Sequence, residues 1–430
     1  MKNCTKIIVY LSVVILAFSC KNVTKKESNI KTVKEKSSVS AKDILGNPNF
    51  LAISYGGYRH VDHDIEPTLD DLKEDMLLLS AMGIKIVRTY KVHLPQASNL
   101  LKAITELKKE NPNFEMYVML GAWIDCKNAR TEKADHNVES EANTPQIAKA
   151  VTLANQYPDI VKIIAVGNEA MVKWAESYYV QPAVILKWVS YLQDLKKSGK
   201  LNKDLWITSS DNFASWGGGD AEYHVKDLEK LIKAVDYISM HTYPFLDSHY
   251  NPSFWKVSDE DQNYTDKEKI DVAMLRAKEF AISQYQSVYN YVKSLGVDKP
   301  IHIGETGWSS ISHNLFGPDG SKAADEYKEA LYYNHVRDWS NKAGISCFYF
   351  EAFDEPWKDA KNPLGEENHF GLFTVDGQAK YALWDMVDKE TFKGLTRAGQ
   401  PITKTYGGNK EALMKDVLVP PLASETKTLN

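Results

Sequence analysis

Eight short apolar runs separated by longer amphipathic stretches limit what this chain can fold into. The runs are "FLAISYG" (50–56), "IKIVRTY" (84–90), "EMYVMLGAW" (115–123), "VKIIAVGNE" (161–169), "LWITSSDN" (205–212), "VDYISMHTY" (235–243), "PIHIGETGW" (300–308) and "ISCFYFEAF" (345–353). Each is rich in β-branched or aromatic residues, as strands are. Between them, Leu69 to Met82, Leu100 to Lys109, Pro182 to Lys197, Ala273 to Leu295 and Ala323 to Lys342 repeat apolar residues with helical period. Runs this apolar suit a parallel sheet buried on both faces, and parallel strands need crossover helices. Eight such units between residues 48 and 400 predict a single α/β domain, a (β/α)8 barrel, rather than two domains.

Barrels of this kind carry their sites at the carboxyl ends of the strands. Here the runs stay apolar until their last residues, where Arg88 and Tyr90, Trp123, Asn168 and Glu169, Asp211 and Asn212, His241 and Tyr243, Glu305, and Glu351 and Asp354 stand. Solvent exposure alone would explain any one of them. Their repetition around the barrel points to a site. Glu169 and Glu305 each follow an apolar strand directly, on the fourth and seventh runs, and so face each other across the barrel mouth. Paired carboxylates in that relation are what glycosidic bond cleavage needs: one protonates the leaving oxygen, the other attacks or stabilises the oxocarbenium-like centre. Arg88 shares strand parity with Ile84 and Ile86 and points inward, where its charge would keep Glu305 ionised. A structural ion pair with Asp211 or Glu351 is the alternative for it.

The segments "ISYGGY", "MGIKIVRTY", "IIAVGNEAM", "YISMHTYPF", "IHIGETGWSS", "FYFEAFDEPWK" and "ENHFGLFTVDG" occur in that order between about residues 52 and 377. Together they resemble the landmarks of glycoside hydrolase family 17, the β-1,3-glucanases. The resemblance implies a retaining, endo-acting hydrolase of β-1,3-glucan or its oligosaccharides, with Glu169 as acid/base and Glu305 as nucleophile. It also implies substrate-binding roles for Asn168, Arg88, Tyr90, Tyr55, Asp211 and Tyr243, with Tyr243 holding Glu305 and Asn168 meeting the sugar 2-hydroxyl. Glu355 and Lys358 match a glutamate and lysine that organise the site. Glu351 departs from the small residue expected there, and a sugar hydroxyl is a possible partner for it. No cofactor or metal is implied. Two rival readings use the same residues: a β-1,3-glucanosyltransferase, and a lipoprotein that binds glycan without cleaving it.

Pyranose rings pack on flat side chains, and Trp123, Trp216, Trp308 and Trp357 follow strands on the site face. Trp308 is the expected sugar platform, while Trp188, Trp206, Trp339 and Trp384 are expected in the core. Long connections at 124–143, 244–268 and 309–322 should wall the cleft. The stretch 259–264 superficially suggests a calcium loop but has Tyr264 for the glycine and Ile270 for the closing glutamate.

Lys2 and Lys6, the apolar run Ile7 to Phe18 and Ala17-Phe18-Ser19 before Cys20 resemble a lipoprotein signal over residues 1–19, with Cys20 lipidated. A secretory signal cut near Ser19 is the alternative. Either implies export. The lysine- and serine-rich stretch 20–47 reads as a tether, so any membrane contact is through the N-terminal lipid, with an outer-membrane address favoured. Residues 401–430 read as a C-terminal extension. Cys126 and Cys347 are expected to stay free. A net charge of -5 without a basic stripe argues against a nucleic-acid partner.

Overall fold

The computed structural model describes residues 39–423; the expected signal, Cys20 and most of the expected tether lie outside the described residues. Eight strands close a barrel: β1 Leu51–Ser54, β2 Ile84–Arg88, β3 Tyr117–Ala122, β4 Val161–Asn168, β5 Trp206–Asn212, β6 Ile238–His241, β7 Ile301–Gly307 and β8 Cys347–Phe350. Every neighbouring pair is parallel, and β8 returns to β1 through Ala52 and Phe348. The expected (β/α)8 barrel is what the chain forms.

Helices Leu69–Ala81, Pro95–Glu110, Asn143–Gln156, Pro182–Lys197, Lys226–Ala234, Asp266–Ser294 and Glu326–Ala343 fill the first seven crossovers, and a short helix, Trp384–Asp388, follows β8. Their ends follow local chemistry. Thr68 and Asp71 form a capping box, as do Thr265 and Glu268; Asp325 caps the helix that Gly344 ends in the left-handed region.

Two apolar layers result. Inside the barrel, Ala52, Ile86, Met119, Ile163, Ala165 and Phe348 pack with Tyr237, and Ala41, Ile44 and Leu45 join them. The folded unit thus begins before residue 48, with a short helix Ala41–Ile44 whose Ala41 and Ile44 are fully buried. A larger cluster fills the space between strands and helices. Residues beyond 400 also pack on the barrel: Thr405 donates to Glu326, and Val257 bridges to Leu422. Cys126 and Cys347 are free and buried.

Candidate active site

Above the apolar interior lies a polar layer made by the strand ends. Arg88, closing β2, is only 1% exposed. Its Nη1 donates to Glu305 Oε1 at 2.7 Å and to the Gly304 carbonyl at 2.8 Å, and its Nη2 donates to Asn168 Oδ1. Tyr243 donates its hydroxyl to Glu305 Oε2 at 2.8 Å. Both oxygens of Glu305 are therefore held. Burial alone would raise this carboxyl, but the neighbouring His241 and the charge of Arg88, with the hydroxyl of Tyr243, outweigh it and hold Glu305 below the usual carboxylate range.

His241, closing β6 and fully buried, links the two carboxylates. Its Nδ1 lies 3.0 Å from Glu169 Oε1 and 3.5 Å from Glu305 Oε2. Its Nε2 meets Ser210 Oγ at 2.7 Å and Arg88 Nη1 at 3.3 Å. Ser210 in turn contacts Ser239 at 2.8 Å. These hydroxyls leave no space beside Gly304, where a Cβ would fall 2.2 Å from Ser239 Oγ and 2.4 Å from Ser210 Oγ. Only glycine lets β7 approach closely enough to present Glu305 to Arg88 and His241.

Glu169 leaves β4 in the left-handed region, at φ 45°, and its N–H donates to the Ser210 carbonyl at 2.9 Å. Such backbone is costly for a non-glycine residue and persists only where its surroundings enforce it. Asp211 supplies part of that enforcement. Its carboxylate accepts from the Met171 N–H at 2.7 Å, fixing the chain just past Glu169, and from the Asn212 N–H at 2.8 Å. Burial, then the charge of Glu169, pushes Asp211 up to about 7.

The carboxylates open into a cleft of about 1000 Å³, whose walls include Tyr90, Asn168, Tyr243, Glu355 and Lys358. Glu355 accepts from the Tyr58 N–H at 2.9 Å, an approach that Gly56 permits because a Cβ there would lie 2.2 Å from Glu355 Oε1. Lys358 pairs with both Glu355 and Glu351. An aromatic wall stands nearby, with His63 between Trp357 (3.9 Å) and Tyr58 (4.2 Å). Trp123 lines the cleft as expected of it; Trp174 and Tyr250, 59% and 64% exposed, line it without having been singled out from the sequence. Among the described residues, no cluster of His, Cys, Asp and Glu could hold a metal ion.

Several expected contacts are corrected. Trp308 is no sugar platform: it is fully buried, donates to the Ala323 carbonyl at 2.8 Å and packs against Phe245, Trp255 and Tyr332. The loop after β7 folds back over the ring. Trp216 is likewise buried, donating to the Ser239 carbonyl. Glu351, 1% exposed, is held beneath the cleft by Lys358, and burial pushes its carboxyl well up despite that lysine. Arg88 and Asp211 are buried and position other groups rather than reach the cleft; Arg88 pairs with neither Asp211 nor Glu351. Tyr55 borders the cleft, but its hydroxyl is turned to Asp75 at 2.9 Å.

A (β/α)8 barrel presenting two carboxylates from β4 and β7 around one histidine defines a glycoside hydrolase. More narrowly, the chain belongs to the BtgE/BtgC glycoside hydrolase domain family, which matches residues 52–371. An endo-laminarinase from Formosa Hel1_33_131, solved as a crystal structure, is 65% identical, with a TM-score of 0.89 over 91% of this chain and 100% of that one. A probable glucan endo-1,3-beta-glucosidase of Aspergillus terreus is 25% identical over 78% of this chain. This chain spans only 46% of that fungal protein's length. A glycoside hydrolase family 17 beta-1,3-glucanosyltransferase from Rhizomucor miehei, 21% identical with a TM-score of 0.54 over 78% of this chain and 96% of that one, shares the fold.

Proposed function

We propose that the protein is an endo-β-1,3-glucanase that works with retention of configuration. The observation that carries the reading is the contact of both Glu169 and Glu305 with one nitrogen of His241, at 3.0 and 3.5 Å. The two contacting oxygens can be no further apart than those two distances laid end to end. That supports a nucleophile working close to the anomeric carbon rather than a base acting through an intervening water. Glu305, ionised and held by Arg88 and Tyr243, attacks the anomeric carbon as Glu169 gives its proton to the departing glycosidic oxygen. Water then enters on the vacated side, Glu169 takes its proton, and Glu305 leaves. Asn168, whose amide oxygen is taken by Arg88, keeps its NH2 group for the sugar 2-hydroxyl.

The endo-laminarinase relative supports β-1,3-glucan as the substrate. Incubation with laminarin, with products resolved by mass, tests this: shorter oligosaccharides with new reducing ends are expected. Longer products would favour glucanosyl transfer through the same carboxylates, and an unchanged polymer would leave glycan binding alone.

Replacing Arg88 with Met should shift the acid limb of the rate profile upward by about one pH unit or more, because burial still opposes ionised Glu305 while its cation is gone. The sign follows from the wild-type direction: a depressed carboxyl stays ionised to lower pH, and the variant loses that advantage first as pH falls. A kcat/KM profile from pH 3 to 9 reads it; an unmoved limb would remove Arg88 from this role.

We also propose that the protein is exported and held at a membrane by lipid on Cys20. Among the described residues no helix is long and apolar enough to cross a membrane. Cys20→Ala should move the protein from the membrane fraction to the soluble exported fraction, and should end labelling by a fatty-acid probe.

A further inference from the structure

A second cavity of about 480 Å³ opens beside the cleft and shares Lys91 and Trp123 with it. Its other walls include Arg130, Asp125 and Gln146. The Lys91 ammonium sits 4.4 Å from the centre of the Trp123 ring, and no carboxylate or hydrogen-bond partner for it occurs among the described residues. Arg130 lies near the same ring at 5.8 Å. Asp125, the one acid on the wall, is already committed, accepting from Trp123 Nε1 at 2.7 Å and from Arg130 at 2.9 and 3.2 Å.

Two further features add positive potential. The helix Asn143–Gln156 begins here, and Ala142, Asn143 and Pro145 at its amino end line the cavity, so the positive end of its dipole faces an anion there, although the Asn143 and Gln146 N–H groups are already given to the Ser140 and Ala142 carbonyls. Gln146, 7% exposed, leaves its amide oxygen unpartnered while its nitrogen meets His93. A half-turn of that amide lets His93 donate to the oxygen and places the NH2 group, rather than the oxygen, behind the cavity wall. An ammonium that is half-buried without an ion-pair partner is costly, and the nearby Asp125 is already shared with Arg130. Burial and then the neighbouring Arg130 press Lys91 toward losing its proton and outweigh the opposing charge of Asp125, a tension that a bound anion would relieve.

We propose that this side cavity binds an anionic group, a carboxylate or sulfate ester, carried by a glycan whose main chain lies in the cleft. A neutral hydroxyl would use one donor here, whereas an anion would be drawn by the charges of Lys91 and Arg130 and by the helix dipole together. Because the cavities share Lys91 and Trp123, the substituent can enter while the chain stays across Glu169 and Glu305. The proposal rests on the β-glucan reading of the cleft.

The test compares native laminarin with laminarin partly oxidised at C6, in which some glucosyl units carry carboxylates. The readout is the ratio of kcat/KM for the two, so a general loss of activity cancels. The wild-type ratio should favour the oxidised polymer by about tenfold at low salt, fall toward one in 0.5 M NaCl, vanish in Lys91→Met and survive in Lys91→Arg. A wild-type ratio at or below one would overturn the proposal, as would the same preference in Lys91→Met. If neither polymer is cleaved, the glucanase reading fails, and affinity electrophoresis of Glu305→Gln against Glu305→Gln/Lys91→Met still decides the cavity. Tighter retention by oxidised polymer only where Lys91 is present supports the anion site; equal retention overturns it.

Discussion

Glu305→Gly should lower laminarin hydrolysis by at least about 10⁴-fold, and azide should restore turnover of an activated aryl β-glucoside. The loss follows from removing the attacking oxygen itself. The rescue follows from the site that remains: Arg88 and Tyr243 lose the carboxylate they held at 2.7 and 2.8 Å, leaving donors around a small void where an anion fits. Azide entering there attacks from the face opposite the leaving group, so the product should be the α-glucosyl azide. Chromatography against the two synthetic azides reads the outcome. A variant with more than a tenth of wild-type activity would remove Glu305 from the nucleophile's place.

Glu169→Gly should behave differently with the leaving group, and the contrast carries the assignment. Laminarin leaves as a poorly acidic sugar hydroxyl that needs the proton, so its hydrolysis should fall by about 10³-fold or more. An aryl leaving group of low pKa needs little protonation, so its first burst should survive while turnover stalls at the glycosyl-enzyme, which has lost its base. Azide should then attack that intermediate and yield the β-glucosyl azide. Glu169→Gly giving the α-azide and Glu305→Gly the β-azide would exchange the two roles.

The barrel was legible because its strands are buried on both faces. Every barrel strand falls inside an apolar run visible in the sequence, and most are shorter because terminal polar residues leave the ladder to build the site. Inward-facing parity placed Arg88 against Glu305, a contact now measured at 2.7 Å. The same parity puts His241 and Tyr243 on one face of the sixth run, so the bridging histidine could have been weighed with Tyr243. That it touches both carboxylates depends on inter-strand register, which no single run encodes.

Trp308 shows the opposite limit. Its place after β7 is plain in the sequence, but its burial depends on Ala323 and on three rings from two other segments closing over it. Glu351 and Glu355 lie four residues apart beside one lysine, and only the packed strand end decides that Glu351 sinks below the cleft while Glu355 borders it. Trp174 carried no periodic signal because it stands in a connection, where position is set by tertiary contacts.

Stereochemistry tests the central claim most directly. Proton NMR during the first minutes of laminarin hydrolysis, before mutarotation, should show β-anomeric reducing ends appearing first, as double displacement at Glu305 requires. First-formed α-anomers would contradict the retaining mechanism and the nucleophilic role of Glu305.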